Sequence, residues 1–166
     1  SMKMSLLTTK GKAVAMFIIL FTVFIILGIT SYAETNFATG STITITGAHA
    51  NDTANAASKL KDGLTAANEP TDTNWVKFYG NTGNTVRTIV VDLGVRQYVN
   101  SVSMTFFQYL DWGIIFPEQV SFYSSNDKTN WTLLGTVESA IPLTQTGKIR
   151  QRYSANGLTS TVRYLY

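Results

Sequence analysis

Catalysis needs titratable or nucleophilic side chains at workable spacing, and few stand in this chain of 166 residues. There is one histidine, His49, in a polar stretch after an alternating Thr-Ile run, and there is no cysteine. A lone loop histidine is ordinarily solvated. Without a second histidine and without thiolates, neither a zinc site nor thiol catalysis can be assembled. No G-x-S-x-G elbow or phosphate-binding glycine loop occurs. Glycoside hydrolysis would need only two carboxylates, but Asp62, Asp92, Asp111, Glu118 and Asp127 are scattered over strand ends and turns. Nothing in their spacing selects a pair. The expectation is a protein that binds and does not catalyse.

Charge narrows the partner. The formal net charge is +3, yet all ten acidic residues lie at or beyond Glu34, and Lys3, Lys10 and Lys12 are the only basic residues before it. Residues 34–166 are therefore neutral overall, without the basic excess that marks a nucleic-acid binder. The early lysines form the positive region of an export signal. An uncharged run follows at residues 13–29, in which only Thr22 and Gly28 are not apolar. Ser31-Tyr32-Ala33 then offers small residues three and one before a cut ahead of Glu34. The alternative is an uncleaved membrane anchor, since seventeen residues reach the lower limit for a spanning helix. Both readings place residues 34–166 outside the cytoplasm, secreted or at the cell surface. Export without cysteine leaves no disulfide framework, so this part must stand on packing, or on packing with a metal ion.

The exported part reads as strands. It holds 20 threonines and 16 aromatic residues, types that favour strands. Thr42-Ile43-Thr44-Ile45-Thr46 alternates as a half-buried strand does. Further strands are expected at residues 86–93, 99–107, 120–123, 132–137, 148–153 and 162–166, with turn clusters between them. One short helix is expected at residues 54–60. Seven strands at spacings near a dozen residues predict an all-β sandwich or jelly roll preceded by an N-terminal hydrophobic signal helix.

From residue 57 onward the order of short motifs resembles a known family. The motifs are Ala57-Ser58-Lys59-Leu60-Lys61-Asp62-Gly63, Thr73-Asn74-Trp75, Arg87 to Gly94, Val99-Asn100-Ser101-Val102, Gly113 to Pro117, Val120 to Asp127, Trp131 and Leu134-Gly135. Each is short, and their order and spacing carry the likeness. The chain is similar to galactose-binding-like domains of the discoidin or coagulation-factor type C kind, a pattern shared with family 32 carbohydrate-binding modules. The resemblance covers roughly residues 42–166 and implies a galactose-binding-like jelly roll. It also implies a structural calcium near Asp62, with carbonyls of Lys61, Leu64 or Thr73; a plain Asp-Gly turn without metal is the alternative. Such domains usually continue past the position aligned with Arg163-Tyr164-Leu165-Tyr166 by a loop and a last strand. The chain is therefore expected to be truncated, with an unpaired edge where that strand would lie.

In that family ligand sites sit on loops at one end of the sandwich. Sugar recognition needs a flat aromatic face for the ring and planar polar groups for its hydroxyls. Two loops offer this mixture: Asn74-Trp75-Val76-Lys77-Phe78-Tyr79 with Asn81 and Asn84, and Gln108-Tyr109-Leu110-Asp111-Trp112. The expected contacts are Trp75, Tyr79, Tyr109, Asp111 and Trp112, with Arg87 and Lys77 as polar partners. Trp75 also matches a position that commonly packs under the loops in that family, and Trp131 fits a core position at the start of a strand. Phe106 and Phe107 must point to opposite faces, so at least one is core. The expected function is a secreted, non-catalytic module that holds polysaccharide or cell-surface glycan. The alternatives are a protein-interaction or adhesion domain, and the N-terminal piece of a larger exported glycoside hydrolase.

Overall fold

The computed structural model describes residues 34–46, 53–78 and 86–166. The chain divides into two compact units, Ser1–Thr35 and Asn36–Tyr166, and every element below belongs to the second. The expected leader, His49 and Tyr79 lie outside the described residues.

All seven expected strands are present. They are β1 (Thr42–Thr46), β2 (Thr88–Val99), β3 (Val102–Gln108), β4 (Gln119–Ser125), β5 (Thr132–Glu138), β6 (Ile149–Ala155) and β7 (Ser160–Leu165), with one helix, α1 (Thr53–Lys59). Five strands form an antiparallel sheet in the order β1-β2-β7-β4-β5, and β3 and β6 form a second antiparallel pair. The fold is an all-β sandwich. In β1 the isoleucines are half-buried and Thr42 and Thr44 are exposed, as strict alternation requires.

Two boundaries differ from the reading of the sequence. Asp92-Leu93-Gly94 does not end β2. The strand kinks at Gly94, whose φ of +82° suits glycine, and continues to Val99 with a register shift between Asp92 and Gln97. Asp92 holds the kink by accepting the Gly94 N–H at 2.8 Å and the Arg163 guanidinium at 2.9 and 3.2 Å. Val99 therefore closes β2, and β3 begins at Val102.

The last described strand is not an edge of its sheet. β7 lies inside the larger sheet, between β2 and β4. Its pairing carries on to Tyr166, which exchanges backbone hydrogen bonds with Tyr123 at 2.7 and 2.9 Å. Among the described residues the edges belong to β1 and β5 in one sheet, while β3 and β6 pair only with each other.

The core fills the space between the sheets. Tyr153 is fully buried on β6 with Ala155, against Phe122 of β4, and Phe106, Val120, Leu134 and Val137 close around them. Phe106 and Phe116 meet the Tyr153 ring edge-on at 5.1 and 6.5 Å, and the Tyr153 hydroxyl donates to the Pro117 carbonyl at 2.7 Å. Burial without a lost hydrogen bond is what makes a core tyrosine tolerable, and burial pushes its phenol pKa up. Phe106 and Phe107 divide as adjacent strand residues must. Phe106 joins this core, and Phe107 is buried beneath Trp75. Trp131 is half-buried and packs on Tyr166 at 5.3 Å, in a group with Tyr123.

Candidate functional site

The loop that leaves β3 is a tight, self-bonded hairpin. Tyr109 and Ile114 exchange backbone hydrogen bonds at 2.9 and 3.1 Å, and Leu110–Trp112 forms one 3-10 turn between them. Gly113 ends that turn in the left-handed region at φ 69°, where a side chain would be strained, and its N–H reaches the Leu110 carbonyl. Trp112 is 57% exposed, its ring tilted at 43° to the Tyr109 ring with 6.0 Å between centroids. Ile115 is 57% exposed, whereas the next residue, Phe116, is buried.

Gln108 anchors the hairpin from below. It is fully buried and uses both ends of its amide. Its Oε1 accepts the Phe116 N–H at 3.1 Å, and its Nε2 donates to the Gln145 carbonyl at 2.9 Å. An unpaired amide there would cost about 1–3 kcal/mol; satisfied, it locks both ends of the loop in place.

A second loop, residues 66–75, packs alongside. Asp72 accepts the Ala67 N–H at 2.6 Å and the Asn74 N–H at 2.8 Å, which curls the segment and holds the Asp72 carboxyl below its ordinary pKa, chiefly through Asn74. Trp75 then stacks on Phe107 with centroids 5.3 Å apart and donates its indole N–H to the Ala67 carbonyl at 2.9 Å. Arg150 on β6 donates to the Ala66 carbonyl at 2.7 Å. Just ahead of β6, the Lys148 carbonyl accepts from the Asn68 amide at 2.6 Å, and the Lys148 ammonium meets Glu69 at 2.5 Å. The same ammonium lies 5.6 Å from the Tyr109 ring centroid. Lys148 thus ties the two loops together.

These contacts sort the expected site residues. Tyr109, Asp111 and Trp112 come together on one rigid turn. Trp75 packs onto the sheet, its indole N–H already bonded. Arg87 is half-buried directly ahead of β2. Asn68, Glu69 and Lys148 join the group although the sequence singled out none of them. Lys148 stands 79 residues from Glu69, and no local pattern links such positions.

The electrostatics are local. Asp111 beside the Tyr109 hydroxyl raises the phenol pKa, so the ring stays neutral and keeps its donor. Glu69 raises the Lys148 pKa. Aromatic faces, carboxylates, an amide and an ammonium stand along these two loops. Elsewhere the polar clusters are consumed internally. In the hollow lined by Ser125, Asn126, Asp127, Asn130 and Thr161, the Asp127 carboxylate takes hydrogen bonds from Ser125, Thr129 and Asn130. Those bonds, with Asn130 first, draw its pKa far down.

Asp62 turns its Oδ1 to the Leu64 N–H at 2.8 Å, and Gly63 follows at φ 75°. That is the geometry of an Asp-Gly turn. Among the described residues no three His, Cys, Asp or Glu side chains group as metal ligands. Asp62 is a single carboxylate, whereas calcium takes 6–8 oxygens, so backbone carbonyls would have to supply the rest.

With this geometry in view, the structure is similar to the crystal structure of the C-terminal domain of a chitobiase from Bacteroides fragilis. The two share 19% sequence identity at a TM-score of 0.51, over 80% of this chain and 82% of that one. The likeness lies in the fold. No protein-family model and no curated protein matches the chain. Among the described residues no helix is long and apolar enough to cross a membrane.

Proposed function

We propose that the unit beginning at residue 36 is a non-catalytic carbohydrate-binding module of an exported protein, and that it holds glycan on the Tyr109–Trp112 hairpin. The observation that carries this reading is Trp112, a large aromatic residue 57% exposed on the 3-10 turn of the hairpin. Asp111, Glu69 and Asn68 stand near as hydrogen-bond partners for sugar hydroxyls, and Lys148 braces the Tyr109 ring. The order of motifs resembling discoidin-type domains and family 32 carbohydrate-binding modules points the same way, as does the likeness to a domain of a chitobiase. A shallow site of this kind binds one sugar modestly and serves to keep an attached partner near polysaccharide.

The test is a glycan array probed with the wild type, Trp112→Ala and Tyr109→Ala, alongside thermal melting. Loss of signal at unchanged melting temperature supports the reading. An array that stays blank for the wild type rejects it. The exposed pair Trp112 and Ile115 also suits a protein-contact patch; in that case the wild type captures a protein ligand and no sugar, and Trp112→Ala abolishes the capture. The calcium at Asp62 is proposed only by the family resemblance. It predicts a melting temperature that falls with chelator and with Asp62→Asn, and no shift in either removes the metal. The export signal predicts a mature N-terminus at Glu34, which N-terminal sequencing of the secreted protein checks.

A further inference from the structure

The site holds one ammonium of its own, and the way it does so indicates the class of sugar that would bind. Lys148 Nζ lies 5.6 Å from the Tyr109 ring centroid and 2.5 Å from the Glu69 carboxylate. An aromatic face and a carboxylate together hold that cation, the arrangement in which cation–π attraction and ion pairing reinforce each other. The adjoining half of the hairpin exposes an aromatic ring and a carboxylate in sequence, the carboxylate standing beside the Tyr109 hydroxyl. Trp112 is the better cation-binding ring of the two; it follows Asp111 in the 3-10 turn, and both are exposed. Glu69 already has the Lys148 ammonium as its counter-ion, so the formal charge of Glu69, Asp111 and Lys148 together is negative.

We infer that the Trp112–Asp111 half of the hairpin selects an amino sugar, a hexosamine whose nitrogen is an unacetylated ammonium, over its neutral N-acetylated counterpart, and excludes uronic acids. The inference rests on the glycan-binding reading and adds the substrate class to it. An ammonium on the sugar would lie over the indole beside the Asp111 carboxylate, as the Lys148 ammonium lies over the phenol beside Glu69. A uronate would bring a third carboxylate to a site already negative, where like charges repel. The surface position keeps the preference modest and sensitive to salt.

Calorimetric titration with three oligosaccharides of equal length tests this: a glucosamine oligomer, an N-acetylglucosamine oligomer and a galacturonic acid oligomer. Each is titrated at low and high salt, at a pH where the amine is protonated, into wild type, Asp111→Asn and Trp112→Ala. The glucosamine oligomer is expected to bind roughly threefold to tenfold more tightly than the acetylated one at low salt, the combined size of a surface cation–π contact and an exposed ion pair. High salt and Asp111→Asn should each erase most of that ratio, and the galacturonic acid oligomer should give no heat of binding. Equal affinity for the first two sugars, or tighter binding of the galacturonate, overturns the amino-sugar inference while leaving glycan binding intact. No binding of any of the three overturns the amino-sugar inference and leaves the glycan array to decide the binding reading; binding untouched by Trp112→Ala overturns both. A melting curve on each variant confirms that the fold is present.

Discussion

Trp75 and Trp112 stand in two loops that meet near the same end of β3, and the molecule uses them in opposite ways. Trp75 lies nearly parallel on Phe107 with its N–H bonded to Ala67, so it fastens its loop to the sheet. Trp112 touches Tyr109 at an open angle and leaves its face in solvent. Residue type does not separate them. Chain length does: residues 66–78 are long enough to fold back across the sheet, whereas the hairpin closes on itself between Tyr109 and Ile114. An aromatic residue in a loop is a fastening or a contact according to whether the backbone lets it reach a partner.

The sharpest way to break the comparison is to remove each indole in turn. Trp75→Ala should cost about 2–3 kcal/mol, toward the low end for a large aromatic because the residue is only half-buried, and should lower Tm by roughly 10 °C. If Trp112→Ala costs as much, the two residues play one role and the contrast is gone. Next in size is the anchor under the hairpin. Gln108→Ala strands the Phe116 N–H and the Gln145 carbonyl and should cost about 1–3 kcal/mol. It should also weaken ligand binding, which a change confined to the core would not do.

A smaller effect should appear with acid. Asp92 is held below the usual carboxylate range first by the Arg163 hydrogen bond and then by the Gly94 N–H, and Asp72 and Asp127 are lowered too. A carboxylate with a depressed folded pKa stabilises fully above its unfolded pKa of about 3.9, and the contribution is lost as pH falls through the folded value. Melting temperature should therefore hold from neutral pH to about pH 5 and decline below pH 4. Arg163→Met should blunt that decline, and an unchanged profile would remove the Asp92 pair from the account. The least effect on stability is expected for Trp112→Ala, within about 0.5 kcal/mol, together with the largest effect on glycan binding.

Much of the fold was legible because strand formation is local. The alternation at residues 42–46, the threonine and aromatic content and the spacing of turns announce seven strands and a sandwich. The error at Asp92 is equally instructive. An Asp-Leu-Gly sequence reads as a strand end, but Arg163, 71 residues away, clamps the aspartate and lets the strand bend and run on. The candidate site was half legible. Tyr109, Asp111 and Trp112 stand out because a short loop between strands gives aromatic residues no periodic reason to be buried. Asn68, Glu69 and Lys148 do not, because single polar residues far apart in the chain carry no mark of one another.

By itself the sequence determined the strand pattern, the neutrality of residues 34–166, the want of thiols and paired histidines, and a loop rich in aromatic and acidic groups. Only the tertiary structure decided which aromatic faces solvent, which buried amide holds the hairpin, and that Lys148 would reach Glu69 and Tyr109. The physical reason is range. Backbone pattern and composition act over a few residues and are written in order, whereas a binding surface is made by side chains that meet only after the sheets have packed.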